Sequence, residues 1–141
     1  MKGNTSVVKI RLSGVPESIM DQNMPLLGEM LQVNTTLKEL DLSDSSIGDD
    51  GACALAGALN VNTSLQSLML WGNDVGDEGV MALADALKVN TWLQELELEG
   101  NNIGDEGAMA LADAMQVNET LKKLDLIANS IGPDGTCALA G

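Results

Sequence analysis

The sequence predicts an α/β solenoid, a horseshoe segment with five parallel strands on the concave side and helices on the convex side, in one domain over residues 1–141. Three observations predict it. The unit NTWLQELELEGNNIGDEGAMALADAMQV at residues 90–117 returns when the chain is shifted by 28 residues in either direction. Its Leu93, Leu96 and Leu98 recur as Leu37, Leu40, Leu42, as Leu65, Leu68, Leu70 and as Leu121, Leu124, Leu126, with Asn73, Asn101 and Asn129 three residues beyond the third leucine. After each such run the apolar period changes from two, that of a strand, to the i, i+3, i+4 spacing of a helix. A unit this short cannot bury its apolar face alone, so the copies must stack.

The first repeat, over residues 4–33, is disguised. NTSVVKIRLSGV aligns with NTTLKELDLSDS and puts Val7, Ile10 and Leu12 at the three leucine positions. The unit is two residues longer than its siblings. The excess is expected in a loop, VPESIMDQNMP, before a helix over 26–33 whose first turn takes Pro25, where a missing N–H costs little.

Repeats two to four, over 34–61, 62–89 and 90–117, are regular. Each strand alternates leucine with polar residues, then turns through Asn, Ile or Val, and Gly, as in Asn101, Ile103 and Gly104. The helix that follows opens on acids: Asp49 and Asp50, Asp77 and Glu78, Asp105 and Glu106. Carboxylates there can cap free N–H groups and suit the helix dipole, which gives these acids, with Asp134, a structural role. Leu83, Ala86 and Leu87, like Leu111, Ala114 and Met115, share the buried face. Asn34, Asn62, Asn90 and Asn118 follow the helices, where asparagine tolerates the left-handed conformation that closes a helix. Three of them, and Asn4, also read as glycosylation acceptors. Trp92 breaks that pattern at Asn90 while the asparagine stays, which favours the structural role.

The fifth repeat, over 118–141, stops about one helical turn short. It carries no polar capping unit, so the chain is expected to be cut from a longer array or built as a fragment. Its flank, Leu124, Leu126, Ile131 and Leu139, then has no neighbour, so either the fifth repeat frays or two chains meet end to end, and a homodimer is the favoured expectation.

Composition narrows the function. The net charge of −14, from 21 acids and 7 bases, excludes nucleic acid and anionic membranes as partners, since both are bound through Lys and Arg. The charge suits solubility, its commoner reason, or a protein partner with a basic surface. No apolar run approaches the roughly 20 residues of a membrane span, and no secretory signal is recognisable, so the cytoplasm is the expected location. Cys53 and Cys137 fill one slot three repeats apart, at least ~14 Å by strand spacing, too far to form a disulfide. Met81 and Met109 share that slot, which reads as a core position.

The 28-residue unit, with Gly-Asp-Glu-Gly opening the helix and Asn-Thr-x-Leu after it, resembles the ribonuclease-inhibitor-like class of leucine-rich repeats. That class includes the repeat arrays of nucleotide-binding innate-immune receptors. The resemblance covers residues 4–141 and implies a protein-binding function with no shared catalytic residue. Five repeats after a variant first unit are more distantly similar to the tropomodulin C-terminal domain, which implies actin binding. Val15 and Ser45 in the asparagine slot, and Pro133 in the acid slot, depart from the pattern.

The chain has no histidine and no tyrosine, so the usual general base of a nucleophilic triad is missing. IGDEG lacks the Lys-Ser/Thr of a phosphate loop, and the acidic turns do not follow a calcium loop. No enzyme, cofactor or metal site is expected. A binding face is written instead by the residues between the leucines. Its columns read Lys9, Glu39, Ser67, Glu95, Lys123; then Arg11, Asp41, Met69, Glu97, Asp125; then Ser13, Ser43, Trp71, Glu99, Ile127. The charges also read as a solvated face with cross-strand pairs. Met69 and Trp71 lie opposite Leu68 and Leu70, so they are expected to anchor a partner, with Asp41, Glu95, Glu97, Glu99, Asp125 and Ile127 around them. Trp92 is expected to cover the core's edge. The expected function is a non-catalytic protein-interaction module. The alternative is a structural or self-associating fragment of a longer or engineered array.

Overall fold

The computed structural model describes residues 8–141. Val7 and Asn4, read above as a core position and a glycosylation pattern, lie outside the described residues. Five strands alternate with five helices: β1 Lys9–Arg11, α1 Glu17–Val33, β2 Glu39–Asp41, α2 Asp49–Leu59, β3 Ser67–Met69, α3 Asp77–Leu87, β4 Glu95–Glu97, α4 Asp105–Met115, β5 Lys123–Asp125 and α5 Pro133–Ala140. The strands form one parallel sheet in sequence order, and each residue pairs with its equivalent one repeat away. Parallel strands sit about 4.8 Å apart and packed helices about 8–10 Å, so the sheet side is the shorter and becomes concave.

The core lies between the two layers. Leu40, Leu68 and Leu96 are fully buried, as are Leu42, Leu70 and Leu98 one step along each strand. From the helices Leu83, Ala84, Leu87, Leu111 and Ala114 close over them. Small residues set how near the helices approach. A Cβ at Gly79 would lie 2.9 Å from Ala52 Cβ and 2.7 Å from an Asp49 carboxylate oxygen, so no larger side chain fits there.

Four expectations are corrected. The loop expected before residue 26 is helix: α1 runs from Glu17 and carries Pro25 inside it. Met20, Met24, Leu27 and Leu31 supply a continuous apolar face, whose burial offsets the ~3 kcal/mol of an interior proline. The left-handed residues are not the helix-closing asparagines but Gly14, Asp44, Gly72, Gly100 and Ala128 after the strands, with Ser46 as a second one in repeat two. Asn62 instead takes the Ser64 and Leu65 N–H groups on Oδ1, while its Nδ2 donates to the Leu31 and Asn34 carbonyls. Asn90 and Asn118 repeat this, so the nitrogen a glycan would need is already bonded.

The other two concern the helices. The first acid of each does not cap its own helix. Asp49 accepts from Gly76 and Gly79, Asp77 from Gly104 and Gly107, and Asp105 from Gly132 and Gly135, so each closes the helix of the next repeat. The slot shared by Cys53, Met81, Met109 and Cys137 is not core: Met81 and Met109 are 44% and 48% exposed, and Cys137 is exposed on α5. Both cysteines are free.

Candidate functional site

The strands position the concave face because alternation sends Leu68 and Leu70 inward and Ser67, Met69 and Trp71 outward. Register then joins residues from different repeats. Met69 lies between Asp41 and Glu97, and Glu97 lies beside Asp125. Just beyond the strands, the Asp44, Gly72 and Gly100 amides donate to the Trp71, Glu99 and Ile127 carbonyls, so the third column keeps the same spacing. Trp71 is 40% exposed and Ile127 67%, while Met69 is half-buried. Trp92, before β4, leaves nearly half of its surface in solvent.

Several of the charges pair across strands. Lys9 Nζ is 2.8 Å from a Glu39 oxygen, Arg11 Nε 3.0 Å from Asp41, and Lys123 Nζ 2.6 Å from Glu97. The Glu97 hydrogen bond, and after it the charge of the same carboxylate, hold the Lys123 ammonium above its ordinary pKa. Glu95 and Glu99 form no ion pair among the described residues. The acidic rim is therefore only partly neutralised.

Asp41 is held differently. It is 6% exposed, and its Oδ1 accepts both the Ser43 amide at 3.1 Å and the Ser43 hydroxyl at 2.7 Å. Burial pushes its carboxyl up, but the two Ser43 bonds and Arg11 together outweigh burial and hold it below the ordinary carboxylate range. Asp125 makes the equivalent bond to the Ile127 amide at 3.0 Å. Ser45 stands in the asparagine slot, and its one hydroxyl proton is shared between the Leu12 and Ser43 carbonyls at 3.1 and 3.0 Å, which stands in for part of the asparagine ladder.

Sequence reasoning passed over Ser67, which read as one polar residue in a column. It is buried, lines a recess with Glu39, Gln66, Met69, Gln94 and Glu95, and its hydroxyl has no hydrogen-bond partner. A larger groove of about 650 Å³ lies at the amino ends of α1 and α2, edged by Glu17, Asp21, Asp49, Asp50, Asp74 and Glu78. Among the described residues no three His, Cys, Asp or Glu converge to hold a metal ion. No described helix is long and apolar enough to cross a membrane. The free Cys53 thiol is pushed up by burial first, then by Glu78, Asp49 and Asp50, which works against a reactive thiolate.

No curated protein sequence matches the chain. Among solved structures, leiomodin-1 actin-binding site 2 superposes with a TM-score of 0.77 at 24% identity, over 94% of this chain and 79% of that one. The tropomodulin C-terminal domain of Caenorhabditis elegans superposes at 0.80 and 16% identity, over 97% of this chain and 82% of that one. Likeness at these identities is likeness of fold. The family described as Leucine Rich repeat matches residues 33–56, 61–84, 89–112 and 117–140, the four units in which the leucine ladder was read. With that match over most of its length, the chain belongs to the leucine-rich repeat family.

Proposed function

We propose that the chain is a non-catalytic protein-interaction module that takes a partner protein on its concave face, in the cytoplasm. One observation carries this reading: Trp71, just beyond β3, is 40% exposed beside Met69, while Leu68 and Leu70, before and between them, are fully buried. An exposed Trp and Met framed by carboxylates suits an anchor with a polar rim, and the charge of −14 suits a partner with a basic surface. Nucleic acid and anionic membranes are unsuited to the same charge. The test is affinity capture by the wild-type chain against Trp71→Ala, with Met81→Ala on the convex face as control. Loss of the partner in the first variant alone supports the reading; loss in the second alone refutes it.

A homodimer through the fifth repeat is a second reading. Leu124, Leu126 and Ile131 are half-buried, whereas their equivalents Leu96, Leu98 and Ile103 are fully buried under the following repeat. Two chains meeting there would cover these side chains, as in a self-associating fragment of an array. Light scattering at rising concentration tests it, and an unchanged monomer mass refutes it. A narrower reading takes the binding named for leiomodin-1 and makes actin the partner. Co-sedimentation with actin filaments, with Trp71→Ala as control, decides that one.

A further inference from the structure

The middle of the concave face holds a recess of about 170 Å³. Its centre is Ser67, the small residue of the first column, in register between Glu39 on β2 and Glu95 on β4. Gln66 and Gln94 line one end and Met69 the other. Ser67 is 7% exposed, and among the described residues its hydroxyl is the one buried side-chain oxygen without a partner. A buried hydroxyl left unpaired is unfavourable, so a donor reaching it gains more than the same donor on an open surface.

Resting on the reading of this face as a protein-binding surface, we propose that the recess is a socket for a single lysine side chain of the partner. Two strand steps separate Glu39 from Glu95, about 10 Å between backbones, which lets both carboxylates lean toward one cation over Ser67. An ammonium carries three donors on a compact head and meets three acceptors here, the two carboxylates and the serine hydroxyl. A guanidinium is flat and prefers paired acceptors in its own plane, a poorer match to groups spread over three strands. The lysine stem lies along Met69 and the glutamine side chains. All the rim side chains are long and flexible, so uncovering the hydroxyl takes rotamer changes only.

The flanking charges sharpen the choice. The column reads Lys9, Glu39, Ser67, Glu95, Lys123, and Lys9 already pairs with Glu39 at 2.8 Å. Lys123 pairs with Glu97, which leaves Glu95 as the charge of this column without an ion pair among the described residues. A cation at the centre is attracted, while a second one placed a strand further out meets Lys9 or Lys123 and is repelled. The socket therefore selects an isolated lysine rather than a basic run.

The test uses the full chain with n-butylammonium, n-butylguanidinium and N-butylacetamide, followed through the backbone amides by NMR. Butylammonium should give saturable shifts centred on Gln66, Ser67, Leu68, Gln94 and Glu95. Butylguanidinium should bind more weakly, and the uncharged amide at least roughly tenfold more weakly, as loss of a charge-assisted bond implies. Glu95→Gln and Ser67→Ala should each weaken binding by about tenfold, and Ser67→Met should abolish it by filling the recess. If Ser67→Met does not fold, the other two variants decide. Shifts that do not saturate, or that are equal in wild type, Ser67→Ala and Glu95→Gln, overturn the socket. These probes need no partner, so their failure is distinguishable from a failure of the Trp71 capture experiment.

Discussion

Asp77 closes a helix that is not its own: its Oδ1 accepts the Gly104 amide at 2.7 Å and the Gly107 amide at 2.9 Å, both in the following repeat. The bond satisfies two N–H groups at the start of α4 that no carbonyl of that helix can reach. It also ties neighbouring repeats on the convex side, as the strands do on the concave side. Asp77→Ala should therefore cost ~1–2 kcal/mol of stability in urea denaturation. Glu78→Ala, one residue on and exposed, should change it by less than ~0.5 kcal/mol. Equal effects from the two variants would contradict the inter-repeat cap.

Asn101 is buried, donates to the Leu70 and Leu98 carbonyls at 2.8 and 3.0 Å, and accepts the Val75 amide at 3.0 Å. Asn101→Ala strands all three backbone groups in the core. The expected loss is ~3 kcal/mol, with earlier exchange of the Val75 amide in hydrogen-exchange measurements. A loss under ~1 kcal/mol would show that water replaces the side chain there.

The Asp41 carboxyl sits below its ordinary pKa because Ser43 and Arg11 outweigh its burial. A group depressed on folding stabilises above its unfolded pKa of about 3.9, and that contribution is lost as pH falls through the lower folded value. Asp41→Asn should therefore be less stable than wild type at neutral pH, with the two converging in acid below about pH 4. A stability gap that stays constant from neutral pH to strong acid would refute this sign.

Ala128 has φ of 56° where Gly72 and Gly100 stand in the preceding repeats. The left-handed region costs a side-chain-bearing residue about 1–2 kcal/mol, part of which glycine gives back through its freedom when unfolded. Ala128→Gly is expected to stabilise the fifth repeat by roughly 0.5–1 kcal/mol, read from local hydrogen exchange. Faster exchange in the variant would mean that Ala128 packs better than its dihedral suggests.

Partner binding should weaken as salt rises, because Glu95 and Glu99 carry charge that no ion pair neutralises among the described residues. The effect belongs mainly to the association rate, measured by surface plasmon resonance between low and physiological ionic strength. An affinity and association rate that do not change would leave Met69 and Trp71 as purely apolar anchors.

The placement of the concave residues was legible because a strand's alternation needs only the chain itself. Met69 and Trp71 follow from Leu68 and Leu70 by parity, and the register follows from equal repeat lengths. Ser67 was not legible. Nothing local marks a serine as unpartnered; that depends on what Glu39 and Glu95 do one repeat to either side. Asp41 likewise looked like one acid of a rim, until the fold buried it against Ser43 and Arg11.

The sequence by itself determined the repeat, the order and direction of the strands and the residues of the leucine core, since each follows from a period of two or 3.6 residues within a single unit. Tertiary structure alone decided which partner each polar group took. Asp77 reaches 27 and 30 residues ahead and Asn101 31 residues back, distances that exist only once repeats stack. It also decided the start of α1. Pro25 argues locally against a helix, and only the core that Met20, Met24 and Leu31 enter supplies enough burial to override it.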